Sequence, residues 1–388
     1  MALSILHFAL FIGSAMRCVI AGGGTGGHLF PGLAIAQAFV ERERENEVLF
    51  VGTERGIERR VLAGGPFPLK TIEVTPFKGG TLMAKLKTLV ILPRAIYQAI
   101  SILRKFRPQV VVGVGGYASG PALLGAYLVG IKRAIHEQNV VPGMTNRMLK
   151  ALSQRIFVSF EETRDYFPKE KTWVTGLPVR AELLASLAKV QEKKRAAQKK
   201  SWFTVLVFGG SAGAHHINRA MMEALESLEG IKPSLRIIHQ TGREDLEAVS
   251  QGYRDKGFEA VVRPFFEDMA SCYEASDLVI CRAGASTIAE LSICGKAAIL
   301  IPYPHAAHQH QLLNARKLME RGAAQMIEDA ALNGPLLAGE ILRLHGHPEE
   351  RERMEQVIQS MARPKAAQEI VDHCYALVQG EKGVRSEV

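Results

Sequence analysis

Val19-Ile20-Ala21 runs into Gly22-Gly23-Gly24-Thr25-Gly26-Gly27 and then into His28-Leu29-Phe30-Pro31-Gly32-Leu33-Ala34-Ile35-Ala36. An apolar run with β-branched residues stops at six positions of which five are glycine, and a small-residue helical pattern with Pro31 near its start follows. The stretch reads as strand, tight loop and helix. Glycines let the backbone take positive φ and let a ligand approach the main chain, and a helix start presents N–H groups to an anion. Two readings stand at this point: a phosphate loop of the G-x-G-x-x-G type at Gly22, Gly24 and Gly27, and a βα turn whose glycines are purely structural.

The pattern recurs along the chain. Glu47 to Val51 before Gly52, Val110 to Val114 before Gly115-Gly116-Tyr117-Ala118-Ser119-Gly120-Pro121, Arg133 to His136 before Glu137-Gln138-Asn139, and Arg155 to Ser159 read as further strands. Short apolar strands alternating with helical segments predict an α/β chain with parallel, doubly wound sheets, whose ligands lie beyond the carboxyl ends of the strands. At 388 residues the chain exceeds what one core usually supports, and the cycle restarts where Thr204 to Phe208 meets Gly209-Gly210-Ser211-Ala212-Gly213. Leu235 to His239, Ala260 to Val262, Asp277 to Cys281 and Ala297 to Ile301 supply further strands. Two Rossmann-like doubly wound domains facing across a cleft are expected, over 16–180 and 201–363, joined by a connector over 181–200. A C-terminal helix over about 364–380 is expected to pack back on the first domain. The basic run Lys193 to Lys200 at the end of the connector is a solvated face or a binding surface.

The 48 lysines and arginines outnumber the 39 acidic residues, for a formal charge of +9. That balance favours an anionic partner: nucleic acid, nucleotide, phospholipid headgroup or phosphorylated substrate. Cys18, Cys272, Cys281, Cys294 and Cys374 are scattered without a C-x-x-C pair, which argues against a disulfide framework or a zinc site and fits a reduced cytosolic compartment. Residues 1–15 are apolar but lack the basic start of a signal peptide, so Met16 is expected as the true start, with a short membrane-seeking anchor as the alternative. From Thr75 to Lys105 apolar residues interleave with lysines and arginines; Lys87, Pro93 and Arg94 exclude a spanning helix. The stretch is either a surface for anionic lipid or a set of core-facing helices with charged outer faces.

Cys281-Arg282-Ala283-Gly284-Ala285-Ser286-Thr287-Ile288-Ala289-Glu290 leaves a strand, turns on small residues and enters a helix with Ser286 or Thr287 as the expected cap. Such a start offers N–H donors to a diphosphate, and Glu290, about a turn further in, can accept hydrogen bonds from both hydroxyls of a ribose; the alternative is an ordinary capping glutamate. Taken in order, Gly22 to Gly32, Gly115 to Pro121, His136-Glu137-Gln138-Asn139, Gly176-Leu177-Pro178-Val179-Arg180, Gly209 to Gly213, Phe266-Glu267-Asp268-Met269, Arg282 to Glu290 and His310-Gln311 resemble the motifs of the bacterial MurG family, from Met16 to about Ala376. Residues 1–15 fall outside the resemblance.

The resemblance implies a GT-B type glycosyltransferase that moves N-acetylglucosamine from UDP-GlcNAc to undecaprenyl-pyrophosphoryl-MurNAc-pentapeptide, lipid I, forming lipid II for peptidoglycan synthesis. It implies a peripheral protein on the anionic cytoplasmic face of the bacterial inner membrane, with no nucleic-acid partner. On this likeness the backbone at Phe266 reads the uracil edge and Glu290 the ribose. Ser211 with Ala285, Ser286, Thr287 and Ile288 holds the diphosphate, and Ala289 belongs to the same substrate-binding set. Gln311, with Gln309 as the alternative, meets the sugar hydroxyls, while Thr25, Gly26, Gly27, Asn139 and Arg180 line the acceptor side.

Attack by the MurNAc 4-hydroxyl on the anomeric carbon needs a base, and His28 is the candidate, since at a helix N-terminus the dipole disfavours the imidazolium and keeps the ring able to accept a proton. Glu137 is the other candidate; the bland reading of His28 is that it orders the loop or binds the acceptor diphosphate. No D-x-D pair occurs to hold a metal, so helix N–H groups and Arg180 are expected to stabilise the departing UDP, with no protein-bound metal and no cofactor. A single displacement implies inversion. Three rivals remain: an NAD-dependent oxidoreductase, although Gly52-Thr53 stands where a ribose-binding acid would end the second strand; a diacylglycerol glycosyltransferase; and a non-catalytic membrane scaffold.

Overall fold

The structure, a computed structural model, describes residues 15–54, 56–74, 82–181, 183–185, 202–210, 213–306 and 309–381, with backbone alone over 82–90. Ser211, Lys78 and nearly all of the expected connector with its basic run lie outside the described residues, as do residues 1–14 of the apolar start. The chain divides into two compact units, Met1–Arg180 with Lys365–Val388, and Ala181–Pro364.

In the first unit β1 (Arg17–Ala21), β2 (Glu47–Gly52), β3 (Leu69–Thr71), β4 (Val110–Gly113), β5 (Lys132–Glu137), β6 (Arg155–Val158) and β7 (Thr172–Val174) form one parallel sheet in the order β3-β2-β1-β4-β5-β6-β7. The helices are α1 (Gly26–Arg42), α2 (Glu58–Val61), α3 (Leu82–Phe106), α4 (Ser119–Leu128) and α5 (Met144–Leu149). Both faces of the sheet are covered, and the two-residue period of a strand divides β1 between two cores. Cys18 and Ile20 join Ile35 and Phe39 of α1; Val19 and Ala21 join Ala122 and Leu123 of α4. Each such fully buried Ile or Phe contributes about 2 kcal/mol.

The second unit repeats the plan. Its strands β8 (Phe203–Phe208), β9 (Leu235–Gln240), β10 (Glu259–Arg263), β11 (Leu278–Cys281), β12 (Ala298–Leu300) and β13 (Gln325–Met326) lie parallel in the order β10-β9-β8-β11-β12-β13. Around them stand α6 (His215–Ala224), α7 (Leu246–Lys256), α8 (Met269–Ala275), α9 (Ala285–Cys294), α10 (His310–Glu320), α11 (Gly334–Gly346) and α12 (Pro348–Ser360). The last helix, α13 (Ala366–Gln379), belongs to the first unit. Ile370, Val371 and Cys374 enter the core of Cys18 and Phe39, and the Tyr375 ring stacks on Phe39 at 6.3 Å.

Three strands, β3, β7 and β13, have no counterpart in the sequence reading; each is two or three residues long at a sheet edge, too short for a period to register. Both sheets follow the doubly wound order, so each reverses direction once, between β1 and β4 and between β8 and β11. Ligands of such sheets bind at that reversal, beyond the carboxyl ends of the strands. Among the described residues no helix is long and apolar enough to cross a membrane.

Candidate active site

At the reversal in the first unit two glycine loops interlock backbone to backbone. A Cβ on Gly22 would stand 2.4 Å from the Gly115 carbonyl oxygen, and one on Gly116 would stand 2.3 Å from that of Gly23. The buried Ser119 hydroxyl reaches the Ala21 and Gly115 carbonyls at 2.6 and 2.8 Å and ties the loops to the strand end. The helix begins earlier than its sequence suggests. Thr25 is the N-cap and α1 starts at Gly26, so Pro31 is the sixth helical residue rather than one near the start. His28 thereby sits in the first turn. The Thr25 hydroxyl makes no capping bond; it lies 3.0 Å from His28 Nδ1. If Nδ1–H donates to that oxygen, Nε2 carries the lone pair and can take a proton.

The imidazole lies over Gly115, where a Cβ would come within 2.6 Å of Cδ2 and 2.8 Å of Nε2. The next strand end supplies a buried polar chain. His136 Nε2 lies 3.0 Å from the Gly176 carbonyl, and burial, with the nearby His28 adding to it, lowers the His136 pKa to about 4, so the ring is neutral. Nε2–H therefore donates to Gly176, which leaves Nδ1 to accept from Gln138 Nε2 at 3.2 Å. Gln138 Nε2 also donates to the Val114 carbonyl at 2.8 Å. Glu137 is buried and receives four hydrogen bonds, from the Asn139 and Gly143 amides at 3.0 Å each, from Asn146 Nδ2 at 2.8 Å and from Asn139 Nδ2 at 3.3 Å. Burial raises its pKa while those donors oppose the rise. Its oxygens organise the Asn139–Gly143 turn, and a substrate hydroxyl would have to displace one of these donors to reach them. Arg180 stands over the Phe30 ring of α1 at 5.0 Å, and the same ring covers Gly26. The first unit thus gathers Thr25, Gly26, Gly27, His28 and Arg180 at the start of α1, with Asn139 at the end of β5.

In the second unit Gly284, not Ser286 or Thr287, is the N-cap of α9, and no side chain caps the helix. The turn after β11 is short enough that Ala285 already has helical geometry, which places Ser286 and Thr287 in the first turn. The Ser286 hydroxyl is buried and has no hydrogen-bond partner among the described residues. Glu290 is the sixth residue of α9 and accepts from the Tyr273 hydroxyl at 3.0 Å. Tyr273 is fully buried, its ring edge-on to Phe208 at 6.0 Å, and burial, followed by the Glu290 charge, pushes its pKa well up, so it stays a donor. The Phe266 amide donates to Gln240 Oε1 at 2.8 Å, and Gln240 Nε2 donates to the Gly210 carbonyl at 2.9 Å. A base edge must compete with Gln240 for that amide. Gln311 lies in the first turn of α10, its Oε1 accepting from the Tyr303 amide at 2.9 Å, while Gln309 is the exposed N-cap in the left-handed region. Among the described residues no group of three or more His, Cys, Asp or Glu side chains is arranged to hold a metal.

Sequence reasoning missed Tyr273, Gln240 and Glu58. Glu58 is buried beneath the first glycine loop, where it accepts from the Gly24 amide at 2.8 Å and the Thr53 amide at 2.7 Å. Its one sequence signal is the pair Gly52 and Gly56 just before it.

The chain matches the Glycosyltransferase family 28 N-terminal domain over residues 18–158 and the Glycosyltransferase family 28 C-terminal domain over residues 204–370. It is 49% identical over 363 residues, 94% of this chain and 93% of the relative, to the UDP-N-acetylglucosamine--N-acetylmuramyl-(pentapeptide) pyrophosphoryl-undecaprenol N-acetylglucosamine transferase of Myxococcus xanthus (strain DK1622). The protein of the same name from Syntrophus aciditrophicus (strain SB) is also 49% identical, across 94% of this chain and 99% of its own. Among solved structures, Acinetobacter baumannii MurG superposes with a TM-score of 0.74 at 30% identity, covering 94% of this chain and 99% of that one.

Proposed function

Because the chain belongs to glycosyltransferase family 28 and, within it, to the MurG family, we propose that it transfers N-acetylglucosamine from UDP-GlcNAc to the MurNAc 4-hydroxyl of lipid I, giving lipid II. The observation that carries the donor half is the start of α9: helix amides at the sheet reversal, a buried Ser286 hydroxyl without a partner among the described residues, and the Glu290 carboxylate held by Tyr273. The amides of Ala285, Ser286 and Thr287, with Ser211, bind the diphosphate, while Ile288, whose own amide donates to the Gly284 carbonyl at 3.0 Å, and Ala289 belong to the same substrate-binding set; Glu290 accepts from the ribose hydroxyls; Phe266 reads the uracil edge; Gln311 meets the sugar. The first unit carries the acceptor, with Thr25, Gly26, Gly27 and Asn139 around it.

His28 Nε2 removes the proton of the attacking hydroxyl as oxygen bonds to the anomeric carbon and the bond to the UDP oxygen breaks, so that an α-linked donor yields a β-1,4 product. The α9 amides stabilise the charge that develops on UDP, at about 3–4 kcal/mol for a well-aimed donor. Transfer of labelled GlcNAc to a lipid I analogue, with diacylglycerol as the competing acceptor and a chelator added in parallel, tests the reading. Chelator-resistant transfer to lipid I alone is the expected result.

The acceptor's lipid places the work at a membrane, and we propose peripheral binding of the first unit to the anionic cytoplasmic face. In support, Tyr97 on α3, Tyr127 and Leu128 on α4 and Met144 and Met148 on α5 are exposed, and the Arg133 guanidinium lies over Tyr127 at 5.2 Å. Co-sedimentation with phosphatidylglycerol vesicles, lost in Met148→Asp, checks this.

A further inference from the structure

Glu58 is 0% exposed, and the groups around it are those of an anion site. Oε2 accepts from the Gly24 amide at 2.8 Å; Oε1 accepts from the Thr53 amide at 2.7 Å and from the Thr53 hydroxyl at 2.9 Å. The walls are glycine backbone: a Cβ on Gly23, Gly52 or Gly56 would stand 2.7, 2.7 or 2.0 Å from the glutamate side chain. Positive φ at Gly24, +86°, lets its amide face the carboxylate. Backbone amides converging on anionic oxygens inside a glycine loop are the arrangement by which such loops hold a ligand phosphate. Here the oxygens are the chain's own.

We propose that Glu58 is a built-in anion occupying the first glycine loop in place of a phosphate, and that it is thereby a positioning residue for His28. Gly24 is joined to Thr25, the Thr25 hydroxyl meets His28 Nδ1 at 3.0 Å, and the ring rests over Gly115, so the carboxylate fixes the loop from which the imidazole is aimed. The Gly24 amide is withdrawn from the acceptor diphosphate, which meets the first turn of α1 instead. This inference rests on the role of His28 proposed above.

The test uses the full-length protein. Glu58→Ala removes a CH2–COO⁻ group, the size of acetate, and Glu58→Gln keeps the volume but turns an amide NH2 toward a backbone N–H. In Glu58→Ala kcat is expected to fall about 100-fold, the loss a misplaced catalytic group produces. In Glu58→Gln it falls roughly tenfold, as for a lost hydrogen bond to a charged group. KM for UDP-GlcNAc stays within twofold in both, a split that general unfolding would not give. Potassium acetate, compared with chloride at equal ionic strength, restores kcat in Glu58→Ala and leaves the natural protein unchanged. Full kcat in Glu58→Gln, or a folded Glu58→Ala that acetate does not restore, overturns the proposal. If the natural protein transfers no GlcNAc, the enzymatic reading fails separately and the cradle is judged on melting: an acetate-specific rise in Tm of Glu58→Ala alone supports it, and no rise overturns it.

Discussion

The two sheet reversals are built from similar sequence and prepared for different partners. In the first unit the glycine loop is filled from within: the Gly22 amide donates to the Val51 carbonyl at 3.0 Å, the Gly24 amide to Glu58, and the backbones of two loops interlock. In the second, the helix start after β11 has no side-chain cap and the Ser286 hydroxyl has no partner among the described residues. The two glutamates divide in the same way, Glu58 receiving its three hydrogen bonds inside the loop while Glu290 is half-buried and anchored by Tyr273. A glycine-rich βα turn therefore specifies a backbone shape rather than a ligand. What fills the shape is decided by residues that arrive from elsewhere in the chain.

The contrast is broken most directly at His28. His28→Ala is expected to lower kcat by about 10²–10⁴ while UDP-GlcNAc binding, measured by calorimetry, is unchanged; near-normal turnover would remove His28 as the base. Gly115→Ala reaches the same ring without touching it chemically, because the new Cβ would meet His28 at 2.6 Å on a backbone with φ +88°. Its kcat is expected to fall about 100-fold. The matching change at the other reversal, Gly284→Ala, meets nothing closer than Thr287 Oγ1 at 3.7 Å on extended backbone, and both kcat and donor binding are expected to stay within a few-fold, roughly the cost of an imperfect cap.

Glu290→Gln sharpens the comparison from the donor side. On the donor reading a carboxylate that accepts from the ribose hydroxyls is replaced by an amide, and the UDP-GlcNAc Kd is expected to rise about 10- to 100-fold, for roughly 1.5–3 kcal/mol, with kcat at saturating donor retained. Tyr273→Phe removes only the anchor, and the Kd is expected to rise about fivefold. A Glu290→Gln protein that binds donor normally would return Glu290 to the role of an ordinary helix residue.

What the sequence discloses follows from how far apart the partners are. Strand interiors such as Val110-Val111-Val112 are legible because a strand covered on both faces is a continuous apolar run. The motif residues are legible because glycines and helix starts are local chemistry. Glu58 lies 34 residues from Gly24, Gln240 26 from Phe266 and Tyr273 17 from Glu290, and no local pattern links such pairs. The caps differ for a related reason: Ser286 has the side chain of a cap, but the turn after β11 closes one residue before Ala285 and gives the position to Gly284.

Acid separates the units by a smaller margin. Burial lowers the pKa of His136 to about 4, of His373 to about 4 and of His239 to about 3. The unfolded chain therefore takes up protons on these rings first, and stability present above pH 6.5 is lost as pH falls toward 4. Each ring accounts for about 2 kcal/mol at pH 5. His373 in α13 packs against Trp173 at 4.8 Å and Phe157 at 5.6 Å, and its Nδ1 has no partner among the described residues. In His373→Phe the difference in urea stability between pH 7 and pH 5 is expected to shrink by that amount in the first unit only. An unchanged difference would show that the ring takes up its proton without opening α13.

A small expected effect tells most about the open helix start. Ser286→Ala removes a buried hydroxyl that has no partner among the described residues and that, on the donor reading, gains a phosphate oxygen only when UDP-GlcNAc binds. The two consequences have opposite signs. The ligand-free protein loses a desolvated polar atom and should become slightly more stable, whereas the complex loses about 1 kcal/mol and the Kd rises about fivefold. Tyr273→Phe weakens both, because the Tyr273 hydroxyl is already bonded to Glu290 in the free protein. Measuring Tm without nucleotide beside Kd for the two variants therefore distinguishes a group kept in reserve for a ligand from one that holds the site in shape. A Ser286→Ala protein that loses stability and binds donor unchanged would place Ser286 with Tyr273, and the second reversal would then be closed from within like the first.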